Sequence, residues 1–134
     1  MIVICDDEKR SVDSLAEELQ ASGYIPSIYT KVDEALRFIK ENLDTIELII
    51  LDVAMPPGST FENENTDEGM QTGVFVYERI RGMAQQLPIL IYTNVSDHFI
   101  FEKFQDELHC KLLMKADYLP FELVEEVKAM LKSN

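Results

Sequence analysis

A chain of 134 residues with 46% hydrophobic content suits one domain around a single core and leaves too little for two. Its 12 basic and 25 acidic side chains give a formal charge of −13, which argues against direct binding to a nucleic acid backbone, a contact that needs clustered Lys and Arg. No apolar stretch approaches the roughly 20 residues of a membrane span, and the apolar start is cut short by Asp6, Asp7 and Glu8, unlike a signal peptide; a cytoplasmic protein without membrane contact is expected.

Two periodicities alternate from end to end. The apolar run at 2–5 reads as a strand, and Val12, Leu15, Ala16 and Leu19 then repeat at helical spacing until Gly23 stops the helix. A second strand is predicted over 25–29, followed by a helix that carries Ala35, Leu36, Ile39 and Leu43 behind an N-cap signature of Thr30 with Asp33. The run 48–53 meets no polar residue before Asp52, as expected of a central parallel strand covered on both faces. Residues 87–92 give a fourth strand and 111–114 a short fifth. Helices are predicted over 73–83, 97–108 and 121–132, with Pro120 preorganised for a first-turn position. Five strand–helix units imply a doubly wound α/β sandwich with right-handed crossovers. The segment 56–70 breaks the rhythm: it is rich in Gly, Pro, Asn, Glu, Asp and Thr, has almost no apolar content, and reads as a long surface loop. Cys5 and Cys110 read as buried small hydrophobes, not a disulfide pair.

Asp6, Asp7, Asp52, Thr93 and Lys115 all fall at the carboxyl ends of predicted strands, where open parallel sheets bind their ligands. Two carboxylates about 4 Å apart repel by roughly 4 kcal/mol at an effective dielectric near 20, so three acids on one rim require a positive partner. Lys115 can supply part of it, and a hard divalent ion such as Mg²⁺ (or Mn²⁺) on oxygen ligands the rest. Zinc does not fit, because no His or Cys is placed to join the acids. Asp52, on a rigid central strand facing cations, is the candidate nucleophile toward phosphorus; Thr93 can donate a hydrogen bond to a phosphoryl oxygen and Lys115 can pair with another. Taken singly, a Thr ending a strand is more often a turn residue and an Asp after a strand a helix cap, so the inference rests on their joint arrangement.

The runs Ile2-Val3-Ile4-Cys5-Asp6-Asp7-Glu8, Leu51-Asp52-Val53-Ala54-Met55-Pro56, Ile91-Tyr92-Thr93-Asn94 and Met114-Lys115 resemble the receiver domains of two-component response regulators, across essentially the whole chain. The resemblance implies a CheY-like, flavodoxin-like fold: a five-stranded parallel sheet in the order 2-1-3-4-5 with five helices, one receiver domain over 1–134 with the 56–70 loop inserted. It implies that Asp52 accepts a phosphoryl group from a histidine kinase or histidine phosphotransfer protein. Asp6, Asp7, Asp52 and the backbone carbonyl of Ala54 would hold Mg²⁺, with Asp7 bound directly and Asp6 mainly through water. Such a domain is a signalling switch, not a turnover enzyme. Phosphorylation would draw Thr93 and Lys115 inward and bias a surface of the fourth helix, fifth strand and fifth helix, read by an effector protein or an output domain outside this chain, with a homodimer through the fourth and fifth helices as one outcome. In the helix carrying Phe99, Ile100, Phe101 and Phe104, one or two exposed aromatics would serve that surface.

Three departures from the family pattern carry expectations of their own. Ala116 stands where the family has a cis proline, so a trans bond after Lys115 is expected. Leu112 replaces the usual aromatic three residues before the lysine, so the aromatic readout is expected to be weakened or moved, to Tyr92 or Tyr118. The long loop carries Glu62, Glu64, Asp67 and Glu68, a solvated set that could also screen donors near the site. The main rival is a receiver-like interaction module that is never phosphorylated. A haloacid-dehalogenase type hydrolase is a lesser one, since the second acid it needs two residues after the nucleophile is Ala54 here.

Overall fold

Every residue of three sheet segments is buried, which requires cover on both faces. In the computed structural model, which describes residues 1–132, these are β1 (Ile2–Cys5), β3 (Leu48–Leu51) and β4 (Ile89–Thr93). The remaining elements are α1 (Lys9–Ala21), β2 (Pro26–Tyr29), α2 (Val32–Glu41), α3 (Thr72–Met83), α4 (His98–Gln105), β5 (Cys110–Met114) and α5 (Pro120–Lys132). All pairings are parallel and the order is β2-β1-β3-β4-β5.

The strand period of two splits the interior into two cores. Val3, Cys5, Ile49, Leu51, Ile89 and Ile91 face the side covered by α2, α3 and α4. Ile2, Ile4, Leu48, Ile50, Leu90 and Tyr92 face α1 and α5. The helices present the stripes that the periodicity predicts: Val12, Leu15, Ala16 and Leu19 from α1, and Val32, Ala35, Leu36 and Ile39 from α2. Gly23, at φ +91°, takes the left-handed conformation that stops α1, and Pro120 is the first residue of α5.

Element ends differ from the sequence reading in ways that have local causes. Ile25 remains 71% exposed at the sheet edge, and β2 begins at Pro26. β4 runs on to Thr93 because that residue pairs with Met114, and β5 starts at Cys110 because it pairs with Ile89. Asp52 and Val53 lie just beyond the end of β3. α4 stops at Gln105, short of 108, since the chain must turn into β5 through His109 at φ +56°. Arg81 fastens that turn by donating to the carbonyls of Leu87 (2.6 Å), Leu108 (3.1 Å) and His109 (2.8 Å). Both cysteines are free thiols; Cys5 is buried and Cys110 only half-buried, and burial pushes each up to about 12.

The predicted cap of α2 is corrected. Lys31 occupies the cap position and makes no side-chain cap bond, because the Asp33 carboxylate is spent on the inserted loop. It accepts from the backbone amides of Ser59 (2.9 Å) and Thr60 (3.0 Å) and from the Thr60 hydroxyl. These bonds, the Thr60 hydroxyl first, hold the Asp33 carboxyl down at about 2. Nor is the loop a bare surface excursion. Phe61 is buried, its ring 5.7 Å from Phe75, with the Arg79 guanidinium 5.2 Å above it. Thr66 is buried as well, and Gly69 returns beside Met55, whose amide donates to the Gly69 carbonyl at 3.0 Å. The loop acids Glu62, Glu64, Asp67 and Glu68 are exposed. One apolar residue and one carboxylate thus dock a segment that composition alone reads as loose.

Two consequences can be measured. Asp33→Ala should accelerate hydrogen exchange of the Ser59 and Thr60 amides at least tenfold while amides in β1, β3 and β4 keep their protection. Phe61→Ala should lower the unfolding free energy by about 3 kcal/mol in urea titration, the cost of emptying a buried aromatic site; a loss within experimental error would mean that the ring packs on nothing.

Candidate functional site

Hydrogen bonding continues one residue past the strand ends, and this places the site. The amide of Asp6 donates to the Tyr29 carbonyl at 3.0 Å, that of Asp52 to the Cys5 carbonyl at 3.0 Å, and that of Lys115 to the Thr93 carbonyl at 2.8 Å. Three polar residues are thereby held on the same carboxyl rim by backbone register.

The Lys115 ammonium is the hub. Its Nζ lies 2.8 Å from Asp6 Oδ2, 3.0 Å from Asp52 Oδ2 and 3.1 Å from Glu8 Oε2. The side chains of Lys115, Asp6 and Asp52 keep only 7, 6 and 8% of their exposure, so this is a desolvated cluster and not a surface ion pair. The opposite oxygens are satisfied by backbone: Asp6 Oδ1 accepts from the Glu8 amide at 2.8 Å, and Asp52 Oδ1 from the Val53 amide at 2.7 Å and more weakly from Ala54 at 3.4 Å. The peptide bond after Lys115 is trans. Beneath the ammonium, the Tyr92 ring lies 5.9 Å from Nζ and its hydroxyl donates to the Tyr118 carbonyl. Tyr92 is therefore a fixed wall of the site, and burial raises its pKa.

Of the residues singled out from sequence, Asp6, Asp52 and Lys115 come into direct contact. Thr93 is fully buried on β4, and its hydroxyl oxygen accepts from the Val95 amide at 3.1 Å, which leaves the hydroxyl hydrogen available for donation. Asp7 faces outward and is exposed. Glu8 is the member that sequence reasoning passed over. Its signal was the third acid of the Asp6-Asp7-Glu8 run, at the position immediately before α1.

Electrostatics separate Asp6 from an ordinary surface acid. Burial, followed by the charge of Asp52, raises Asp6 from 3.8 to about 6 against the pull of Lys115 and the Glu8 amide. Burial also opposes the Lys115 charge, but Asp6 and Asp52 outweigh it and hold the amine protonated well above its usual range. For a metal, the donor chemistry is all oxygen, which suits a hard cation that takes one or two carboxylates and keeps water in its other positions. No histidine among the described residues joins the acids, and this carboxylate set suits a hard cation better than zinc. Among the described residues no group of three or more His, Cys, Asp or Glu side chains stands ready-made around a metal ion. The ammonium holds the position between Asp6 and Asp52, and Asp7 stands outside it.

The first turn of α3 seats the backbone of Asp52. The Gly73 amide donates to the Val53 carbonyl at 2.8 Å, and a Cβ at Gly73 would overlap the Asp52 carbonyl oxygen and the Val53 Cα. Gly73→Ala should therefore cost about 1–3 kcal/mol in denaturant unfolding and move the Asp52 and Val53 amide resonances. The raised Asp6 pKa has a definite sign. The folded chain holds its proton more tightly than the unfolded chain, so stability from this group falls as pH rises from 3.8 through about 6 and is level above that. In metal-free buffer the Asp6 carboxyl carbon should titrate near pH 6 by NMR, and Asp52→Asn should lower that midpoint; an unchanged midpoint would remove Asp52 as the interacting charge.

No protein-family model matches the chain, and no curated protein matches it in sequence. Solved structures do. The chain is 27% identical to a putative response regulator from Chloroflexus aurantiacus J-10-fl, covering 98% of this chain and 96% of that one at a TM-score of 0.75. It is 25% identical to the receiver domain of the hybrid histidine kinase CckA, covering 97% of each chain at a TM-score of 0.70. A CheY-like receiver domain protein from Methanospirillum hungatei JF-1, 21% identical, matches over 98% of this chain and 93% of its own at a TM-score of 0.77. With five parallel strands in the order 2-1-3-4-5 and these likenesses spanning nearly its whole length, the chain has the CheY-like fold of receiver domains.

Proposed function

We propose that this receiver domain accepts a phosphoryl group on Asp52 from a phosphohistidine donor, a histidine kinase or a histidine phosphotransfer protein, and signals by changing a partner-binding surface. The observation that carries the reading is the Lys115 ammonium 3.0 Å from Asp52 Oδ2 and 2.8 Å from Asp6, out of water on the carboxyl rim of a central strand. An Asp52 oxygen forms the new bond to phosphorus as the bond from phosphorus to the donor imidazole nitrogen breaks; the imidazole leaves and takes up a proton. Lys115 pairs with a phosphoryl oxygen, and Thr93 donates its hydroxyl hydrogen to another. Asp6, Asp7, Asp52 and the Ala54 carbonyl would hold a Mg²⁺ ion, which when bound offsets the negative charge shared by the acids and the incoming phosphoryl group. Asp7, exposed beside the cluster, is the acid best able to meet a hydrated ion arriving from solvent.

The added charge and acceptor oxygens change what Lys115 and Thr93 bind; Thr93 ends β4 and Lys115 follows β5. Exposed Phe99, Phe101, Leu119 and Phe121 stand on or beside those helices and supply apolar surface for an effector, an output domain or a second copy. Among the described residues no helix is long and apolar enough to cross a membrane.

One observation favours a second reading, an interaction module that is never phosphorylated: Lys115 is shared among Asp6, Asp52 and Glu8, a set of ion pairs that ties its charge to the rim. Mass spectrometry after incubation with acetyl phosphate and Mg²⁺ separates the two. Phosphoryl transfer requires one added phosphoryl group that disappears with EDTA and in Asp52→Asn. An unmodified wild-type chain under the same conditions supports the constitutive module.

A further inference from the structure

Three cations without an ion-pair partner among the described residues meet in one groove. In a chain with 25 acids, most basic side chains on the sheet and on α4 and α5 find an anionic or carbonyl partner. Lys103 pairs with Glu78 and Glu107, Lys111 with Glu126, Lys128 with Glu125, and Lys115 with the rim acids, while Arg81 caps backbone carbonyls. Arg37 and Lys40 behave differently. They are exposed, sit three residues apart on one face of α2, and have no hydrogen-bond or ion-pair partner among the described residues. Across from them on α3, Arg79 is exposed and stacks only on the ring of Phe61.

These three cations line a single trough of about 390 Å³ between α2 and α3, with Leu36 and Met83 as its apolar floor and Thr60 of the inserted loop at its end. Asp33, the acid that also borders it, gives its oxygens to Ser59 and Thr60, neutral donors that leave its charge in place, so three cations face one anion and the lining is net positive. The same clamp fixes the wall that Thr60 makes. The trough is thus built, in that its floor is core, its end is tied down, and its lining is net positive.

We infer that this α2–α3 trough docks an acidic segment of a partner protein, in which carboxylates pair with Arg37, Lys40 and Arg79 while an apolar side chain covers Leu36 and Met83. Two guanidiniums and an ammonium match carboxylates by charge and, for arginine, by fork geometry. A small inorganic anion would leave the apolar floor bare. A second copy of this chain brings a charge of −13 toward an equal charge, which opposes self-association except through this one patch. An acidic peptide meets both the rim and the floor, and the chain's overall negative charge would restrict where such a peptide can land.

The test uses the full chain and a short fluorescein-labelled peptide of alternating glutamate and leucine, read by anisotropy and by amide shift mapping. Binding should weaken at least tenfold in R37E/K40E, weaken in Arg79→Gln, fall with added salt, and perturb amides of Leu36, Thr60 and Met83. The charge-matched control K9E/R10E, altered on α1, should bind within twofold of the parent; thermal melts establish that both doubles are folded. The inference is overturned if the parent does not bind the probe, if R37E/K40E binds unchanged, or if K9E/R10E loses as much. It is overturned in favour of a small-anion site if inorganic phosphate at low millimolar concentration displaces the probe completely, and in favour of a homodimer if sedimentation shows self-association that R37E/K40E abolishes.

Discussion

A single ammonium placed among three carboxylates decides how the carboxyl rim of this sheet is built. Asp6 leaves β1, Asp52 leaves β3 and Lys115 leaves β5, yet β5 is separated from β3 by the whole of β4. The lysine must therefore reach across a strand, and its charged end passes the face of Tyr92 on the way. A shorter cation could not span that distance. Without one, Asp6 and Asp52 would sit unpaired in a place that water barely enters, a loss of several kcal/mol for breaking a buried pair. The rim's geometry depends on one flexible side chain and on the register bonds that fix where its backbone begins.

Such a cluster is poor ballast and a good switch. Buried ion pairs contribute little net stability, because desolvation consumes most of the Coulomb gain. What they do enforce is dependence on charge. Asp6, driven upward by burial and by its neighbour, would respond to a cation or anion added nearby. Lys115, shared among three acids, is a cation that an anion added at this rim would meet. Thr93 contributes in the same sense, since its oxygen is committed to Val95 and its hydrogen is not. The arrangement is responsive because its charges are incompletely matched.

Period-two and helical repeats made the layers legible from the residues alone: the unbroken apolar runs of β1, β3 and β4 can only be central strands, and the stripes of α1 and α2 name their own buried faces. Asp6, Asp52 and Lys115 were legible for the same reason, as polar residues at the ends of such runs. What the sequence concealed were interactions set by distance in space. Nothing local distinguishes Asp33 as a clamp from Asp33 as part of a cap, because the same carboxylate chemistry serves both and only the position of Ser59 and Thr60 selects one. Phe61, a lone aromatic in a polar stretch, gave no periodic signal to follow, though it is buried against Phe75 and Arg79. Glu8 was hidden by its neighbours, since a run of three acids does not reveal which side chain turns toward a lysine that is 107 residues away.

The inserted loop also explains how a receiver fold can acquire new surface without disturbing its rim. Closing a longer loop adds little entropic cost, because that cost grows only with the logarithm of length. Its endpoints are already fixed: Met55 is buried with its sulfur 3.9 Å from Cys5, and Gly69 pairs with Met55 just before α3 begins. Between those points the chain needs only enough contacts to select one path, and Asp33 and Phe61 supply them from opposite ends of the solvation scale. The carboxylate acts where the backbone amides of Ser59 and Thr60 lack strand partners, and the ring acts where α3 leaves an apolar gap. The consequence is a wall at the end of the α2–α3 trough, built on the face of the sheet opposite α1 and α5. Asp52 and its partners are held by register bonds among strands, whereas the trough is held by a clamp between a helix and a loop, so each can change in sequence without requiring change in the other.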